Sequence, residues 1–132
     1  MNVPIRAVAV PTVLLLICGC GQQPRIDISP VIENGQVVFN VPFSGINGLL
    51  SFGVNDGNDT LWAVSTSYEK GHKIVYGALP NGGNMAAKQT FPPQGSAIPD
   101  IRGKKVTAWV VYQYDSGFAA CSGSFEKIVD IP

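Results

Sequence analysis

Oxygen ligands are concentrated in one stretch of this chain, Asn55-Asp56-Gly57-Asn58-Asp59. A hard cation such as calcium is held by such a gathering of carboxylate and amide oxygens, here Asp56, Asn58 and Asp59. The stretch has no later glutamate at the spacing of an EF-hand, and no second acidic cluster accompanies it. A hairpin connection accounts for the same residues, with Asp56-Gly57 supplying the positive φ of a tight turn, and the turn is the favoured expectation. His72, the one histidine, sits in the polar run Tyr68-Glu69-Lys70-Gly71-His72-Lys73. Catalytic and metal-binding histidines work with partners, so a solvated turn residue is expected. There is no Gly-x-Ser-x-Gly elbow, no phosphate loop and no metal-spaced His and Cys cluster. Carboxylates converging from distant positions stay open, since nine acids are present. No catalytic residue, metal or cofactor is assigned, and the chain is not expected to be an enzyme.

The remaining nucleophiles are thiols: Cys18, Cys20 and Cys121. The first two close an apolar stretch, Ala7 to Ile17, that follows a short start with one cation, Arg6. A positive start, an apolar middle and small residues at the end are the parts of a secretory signal. The stretch is too short to span a bilayer, which takes roughly 20 apolar residues. The polar run Cys20-Gly21-Gln22-Gln23-Pro24-Arg25 ends it, and Pro11 removes an amide donor from its middle.

The residues Ile17-Cys18-Gly19-Cys20 resemble the lipobox of bacterial lipoproteins, with an aliphatic residue three places before the cysteine and a small one directly before it. The resemblance implies a diacylglyceryl thioether on Cys20 and cleavage between Gly19 and Cys20. Cys18 competes for the role, but the stiff, β-branched Ile17 would then have to fill the small pocket before the cut. Several acyl chains on one cysteine would anchor stably, where a single chain binds only marginally. Gly21 is not the aspartate that resembles an inner-membrane retention signal. In a source with two membranes, outer-membrane sorting is then expected, with the protein at the periplasmic or surface face.

This divides the chain into a signal, 1–19, a tether, 20–26, and one domain, 27–132, a size that folds alone. Nine basic residues balance nine acidic ones. Losing Arg6 with the signal leaves one net negative charge, so nothing favours nucleic acid as a partner. No polybasic cluster would assist the anchor. With Cys18 cleaved and Cys20 acylated, Cys121 is expected to have no partner in the mature chain. Its small neighbours Ala119-Ala120-Cys121-Ser122-Gly123 suit a packed strand, so burial is expected over pairing between chains.

The elements that position these residues read as strands. Turn clusters at Asn34-Gly35, Asn55 to Asp59, Pro80 to Asn84 and Asp115-Ser116-Gly117 separate β-rich runs at Val37 to Val41, Leu49 to Val54, Thr60 to Ser65, Lys73 to Leu79, Val106 to Tyr114 and Phe118 to Ile131. No window carries helical periodicity, and Asn84 to Thr90 is too short for a stable helix. The strongest run buries Val106, Ala108, Val110, Tyr112 and Tyr114 on one face and turns Thr107, Trp109, Val111 and Gln113 to the other. It forms a hairpin with the last run, whose inward face alternation does not fix around Ile128. The expected class is all-β, a single antiparallel β-sandwich. The strand count, the run Leu61-Trp62-Ala63-Val64 and the strand before the last hairpin are similar to immunoglobulin-like and fibronectin type III-like domains, without the Cys, Trp, Cys spacing of true immunoglobulins. A transthyretin-like sandwich or a small open barrel gives a similar strand list.

Trp109, with Val111 and Thr107 on the same face, is a possible binding surface for an envelope protein or a glycan. The competing expectation covers Trp109 with the segment 84–99, because large exposed apolar patches are uncommon on monomers. Taken together, these residues point to a lipid-anchored envelope protein whose sandwich binds or organises something without catalysis. An accessory subunit of an envelope secretion or transport assembly is the alternative. A hydrolase is the third option and lacks chemical residues.

Overall fold

Residues that bury every second side chain must do so as a strand, because successive side chains of an extended chain point to opposite faces. In the computed structural model, residues 105–115 are extended, the five alternate residues from Val106 to Tyr114 are buried, and those between them are half-buried. The structure describes residues 24–69, 73–79, 87–115 and 119–132. Regular structure within them is all strand: β1 (Arg25–Ile26), β2 (Ser29–Glu33), β3 (Gln36–Asn40), β4 (Phe43–Ser44), β5 (Ile46–Asp56), β6 (Asp59–Glu69), β7 (Lys73–Val75), β8 (Lys88–Phe91), β9 (Lys105–Asp115) and β10 (Ala120–Asp130). Arg25 and Ile26, expected ahead of the domain, form β1 and pair with Ser44 and Phe43.

The strands form two principal antiparallel sheets, β2-β3-β7 and β10-β9-β5-β6-β8, with a short ribbon of β1 and β4 beside them. The larger sheet ends at β10 and β8 and does not close into a barrel. The two sheets face each other across one core. Phe39 of β3 meets Phe52 of β5 with ring centroids 5.2 Å apart. Val37, Val41 and Ile74 pack with Val54, Trp62, Val64 and Val110 in the same cluster. The fold is an all-β sandwich.

Turn chemistry sets the registers. Asn34 and Gly35 both adopt positive φ, +52° and +76°, the I′ pattern that matches the twist of the strands it joins. It pairs Glu33 with Gln36 and so fixes β2 against β3. Gly57 alone is positive, at +59°, the II′ pattern, and it pairs Asp56 with Asp59 at the end of the β5–β6 hairpin. The last hairpin pairs Asp115 with Ala120 and runs without a register shift to Lys105 and Asp130. That register settles the final strand: Val129 opposes Val106 inside, while Ile128 opposes Thr107 outside and is 67% exposed. The turns at Pro80 to Asn84 and Ser116-Gly117 fall outside the described residues.

Candidate functional site

Residues directly opposite on neighbouring strands share a face, so the larger sheet carries one outward row: Glu126, Trp109, Gly53, Ala63 and Phe91, each on a different strand. Gly53 makes this row workable. A Cβ there would sit 2.2 Å from Trp109 Cζ2 and 2.6 Å from its Nε1, so the indole rests directly on the β5 backbone. Asn55, two residues along β5, accepts a hydrogen bond from Trp109 Nε1 through its Oδ1 at 3.1 Å. One strand thus supplies both the seat and the orienting acceptor. The partly covered indole, the small Ala63 and the 44% exposed Phe91 form the apolar floor and wall of an open groove of about 600 Å³. Its rim carries Asn58, Asp59 and Thr60 from the β5–β6 hairpin and Thr90 from β8. Thr107 and Val111 flank Trp109 on β9, half-buried on the same face.

Part of the segment expected to cover Trp109, Lys88–Phe91, is itself a strand of this sheet. Residues 88–91 pair with the edge of β6 and extend the face sideways, bringing Phe91 into the row rather than laying chain over the indole. Phe91 is the residue that sequence reasoning missed. Gly53, embedded in the run from Leu49 to Val54, was a readable signal, since glycine inside a strand marks a close approach by another group.

The oxygen-rich stretch acts as the tight turn just described. Among the described residues no group of three His, Cys, Asp or Glu side chains gathers to hold a metal ion. Asn58 and Asp59 border the groove instead. His72 and Cys20 lie outside the described residues. Cys121 is buried, as expected, but it is disulfide-bonded. The expectation of no partner concerned the mature chain, whereas the structure is of the full chain, in which Cys18 and Cys20 are both present.

At the far side of the core Tyr76 packs edge-on against Trp62 with centroids 5.4 Å apart and donates from its hydroxyl to the Pro99 carbonyl at 2.8 Å. Burial, with a smaller push from Asp100, raises its pKa to about 12. Asp100 is held at about 2 by the Arg102 side chain, which donates from Nη2 at 2.7 Å, and by the Arg102 amide. This pair satisfies itself and offers no free charge. An acid whose folded pKa is raised keeps its proton while the unfolded chain loses it. Stability from Tyr76 is therefore complete below pH 10 and is lost as pH rises towards 12. Tyr76→Phe should cost about 0.5–1 kcal/mol at neutral pH for the lost hydrogen bond, and urea midpoints should show that deficit narrowing as pH rises from about 10 towards 12. A deficit that stays constant would separate the hydroxyl from the alkaline loss.

Compared with family models, curated proteins and solved structures, the chain matches none.

Proposed function

We propose that the protein is a lipoprotein of the cell envelope, cleaved before Cys20 and acylated there, whose sandwich is a non-catalytic binding module held at the membrane surface. The observation that carries this is Ile17-Cys18-Gly19-Cys20 at the end of an apolar run. Two features support it. The first strand starts at Arg25, five residues after Cys20, so a lipid there would hold the sandwich close to the bilayer. The sheet orders also support the immunoglobulin-like resemblance. If β2 and β3 stand for A and B, β5 for C, β7 for E and β9 and β10 for F and G, then A, B and E share one sheet and C, F and G the other.

A lipid on Cys20 and a disulfide at Cys121 are alternative fates of the chain's sulfurs. Cleavage discards Cys18, and a thioether occupies the sulfur of Cys20. Intact mass of the membrane-extracted protein distinguishes them. The expected species begins at Cys20 and carries a diacylglyceryl group with or without an N-acyl chain. A full-length, unacylated chain with an oxidised Cys121 overturns the proposal. Cys20→Ala should shift the protein from the membrane to the soluble envelope fraction, and retention in the membrane would count equally against the anchor.

One observation favours the accessory-subunit alternative. β10 is eleven residues long, free of register shifts against β9, and ends its sheet, a form suited to accepting a strand from a partner. Co-purification of a stoichiometric partner after mild detergent extraction is its expected signature, and a lone species would exclude it.

A further inference from the structure

The groove on the larger sheet has one kind of chemistry. We propose that it binds a neutral glycan, a sugar ring lying against Trp109 and Phe91 while its hydroxyls meet Asn58, Asp59, Thr60 and Thr90. This rests on the reading of the sandwich as a binding module and names its ligand.

The floor and wall are aromatic and methyl surface: the indole on Gly53, the Ala63 side chain and the Phe91 ring. What lies on them must present an apolar face. The rim is an amide, a carboxylate and two hydroxyls, so it offers both donors and acceptors, and a ligand must be polar at its perimeter. Few ligands are apolar on a face and hydroxylated around the edge, and a pyranose ring is both. Its C–H bonds can meet an aromatic surface through weak polar contacts, and its hydroxyls lie in the plane of the rim.

Charge narrows the class. Among the described residues, the groove is lined by no Lys or Arg and by one carboxylate, Asp59. A phosphate, a uronic acid or an acidic peptide would find repulsion there and no cation to answer it. The volume of about 600 Å³ is that taken by a drug-sized ligand and accommodates more than one sugar ring. Spacing agrees, since Trp109 on β9 and Phe91 on β8 are three strand intervals apart, about 14 Å, and the indole reaches across Gly53 to shorten that gap. Trp109 comes already oriented by Asn55, which lowers the ordering cost of binding.

The test is calorimetry on the full chain in a detergent without a sugar headgroup, titrated with neutral hexasaccharides of glucose and of N-acetylglucosamine. Saturable binding is expected to at least one. It should weaken by at least about tenfold in Trp109→Ala and in Phe91→Ala and persist in Trp109→Phe. Phe91 is exposed and outside the core cluster, so its truncation separates lost binding from lost folding. Three results overturn the proposal: no saturable heat with either sugar up to about 10 mM, binding that survives both truncations, or stronger binding of phosphocholine or hexalysine than of the sugars. A dilution heat without sugar that Phe91→Ala abolishes would place a second copy in the groove and overturn it as well. The mass of the anchored species is read separately. A lipidated protein that ignores sugars sinks the glycan alone, and a sugar binder without lipid sinks the anchor alone.

Discussion

Trp62→Ala should cost about 3–5 kcal/mol, the range for emptying a large aromatic from a packed core. Trp62 has no exposed surface and is the largest of the fully buried side chains. It stands edge-on to Phe52, with centroids 6.3 Å apart, and edge-on to Tyr76, so both sheets lose contact when it goes. Its Nε1 also donates to Gln89 Oε1 at 3.3 Å, while Gln89 Nε2 donates to the Pro92 carbonyl at 2.8 Å. Truncation therefore leaves the Gln89 carbonyl oxygen without its donor and loosens the edge strand β8, on which Phe91 is carried. A domain of this size has a total stability of about 5–15 kcal/mol, so the variant would lose about a fifth of it or more, with the melting midpoint falling by about 12 °C or more. Urea unfolding measures the difference. Trp62→Phe, which keeps most of the volume but not the N–H, should lie between wild type and alanine. A loss below about 1 kcal/mol for alanine would mean that the two sheets are not held together around this ring.

Alternation was legible where one face is apolar and the other mixed. It identified the buried set of β9 and the final hairpin, and Asn34-Gly35 announced its own turn. It failed where that pattern breaks. Ser29-Pro30-Val31-Ile32-Glu33 carries a proline and turns Ile32 outward at 39% exposure, so β2 did not read as a strand, although an edge strand tolerates proline. Lys88-Gln89-Thr90-Phe91 has one apolar residue, and that residue faces out. Its strand character comes from the open edge of β6, which no local pattern reports. On β6 itself Leu61 and Ala63 alternate with Trp62 and Val64, so both faces are apolar and alternation gives no sign. The candidate site shared this fate. Trp109 was visible as an aromatic on an outward face, but the groove is made by residues more than 50 positions apart in sequence, as the bond from Trp109 to Asn55 shows, and it needs pairing to assemble.

Gly53→Ala should be the sharpest probe of that assembly. Gly53 has no positive φ, so the backbone conformation alone would accept alanine and in a strand would favour it slightly. The obstacle is space: the new methyl carbon would lie 2.2 Å from Trp109 Cζ2 and 2.3 Å from Cε2, far inside contact distance. Either the indole leaves, giving up its hydrogen bond to Asn55 and its cover of β5, or the strands separate. Forced overpacking of this kind costs about 1–3 kcal/mol. The same methyl in a Trp109→Ala background meets no ring, and there Gly53→Ala should be neutral or stabilising by a few tenths of a kcal/mol. The double-mutant cycle therefore has a large coupling energy, of order 1–3 kcal/mol, with the sign of the Gly53 effect reversing between backgrounds. Urea midpoints of the four proteins supply it. Additive effects would show that Trp109 does not rest on Gly53, and the groove would lose its floor. If the coupling is found, the same variant should also lose glycan binding while keeping Trp109 in the sequence, because position, and not only the presence of the ring, defines the site.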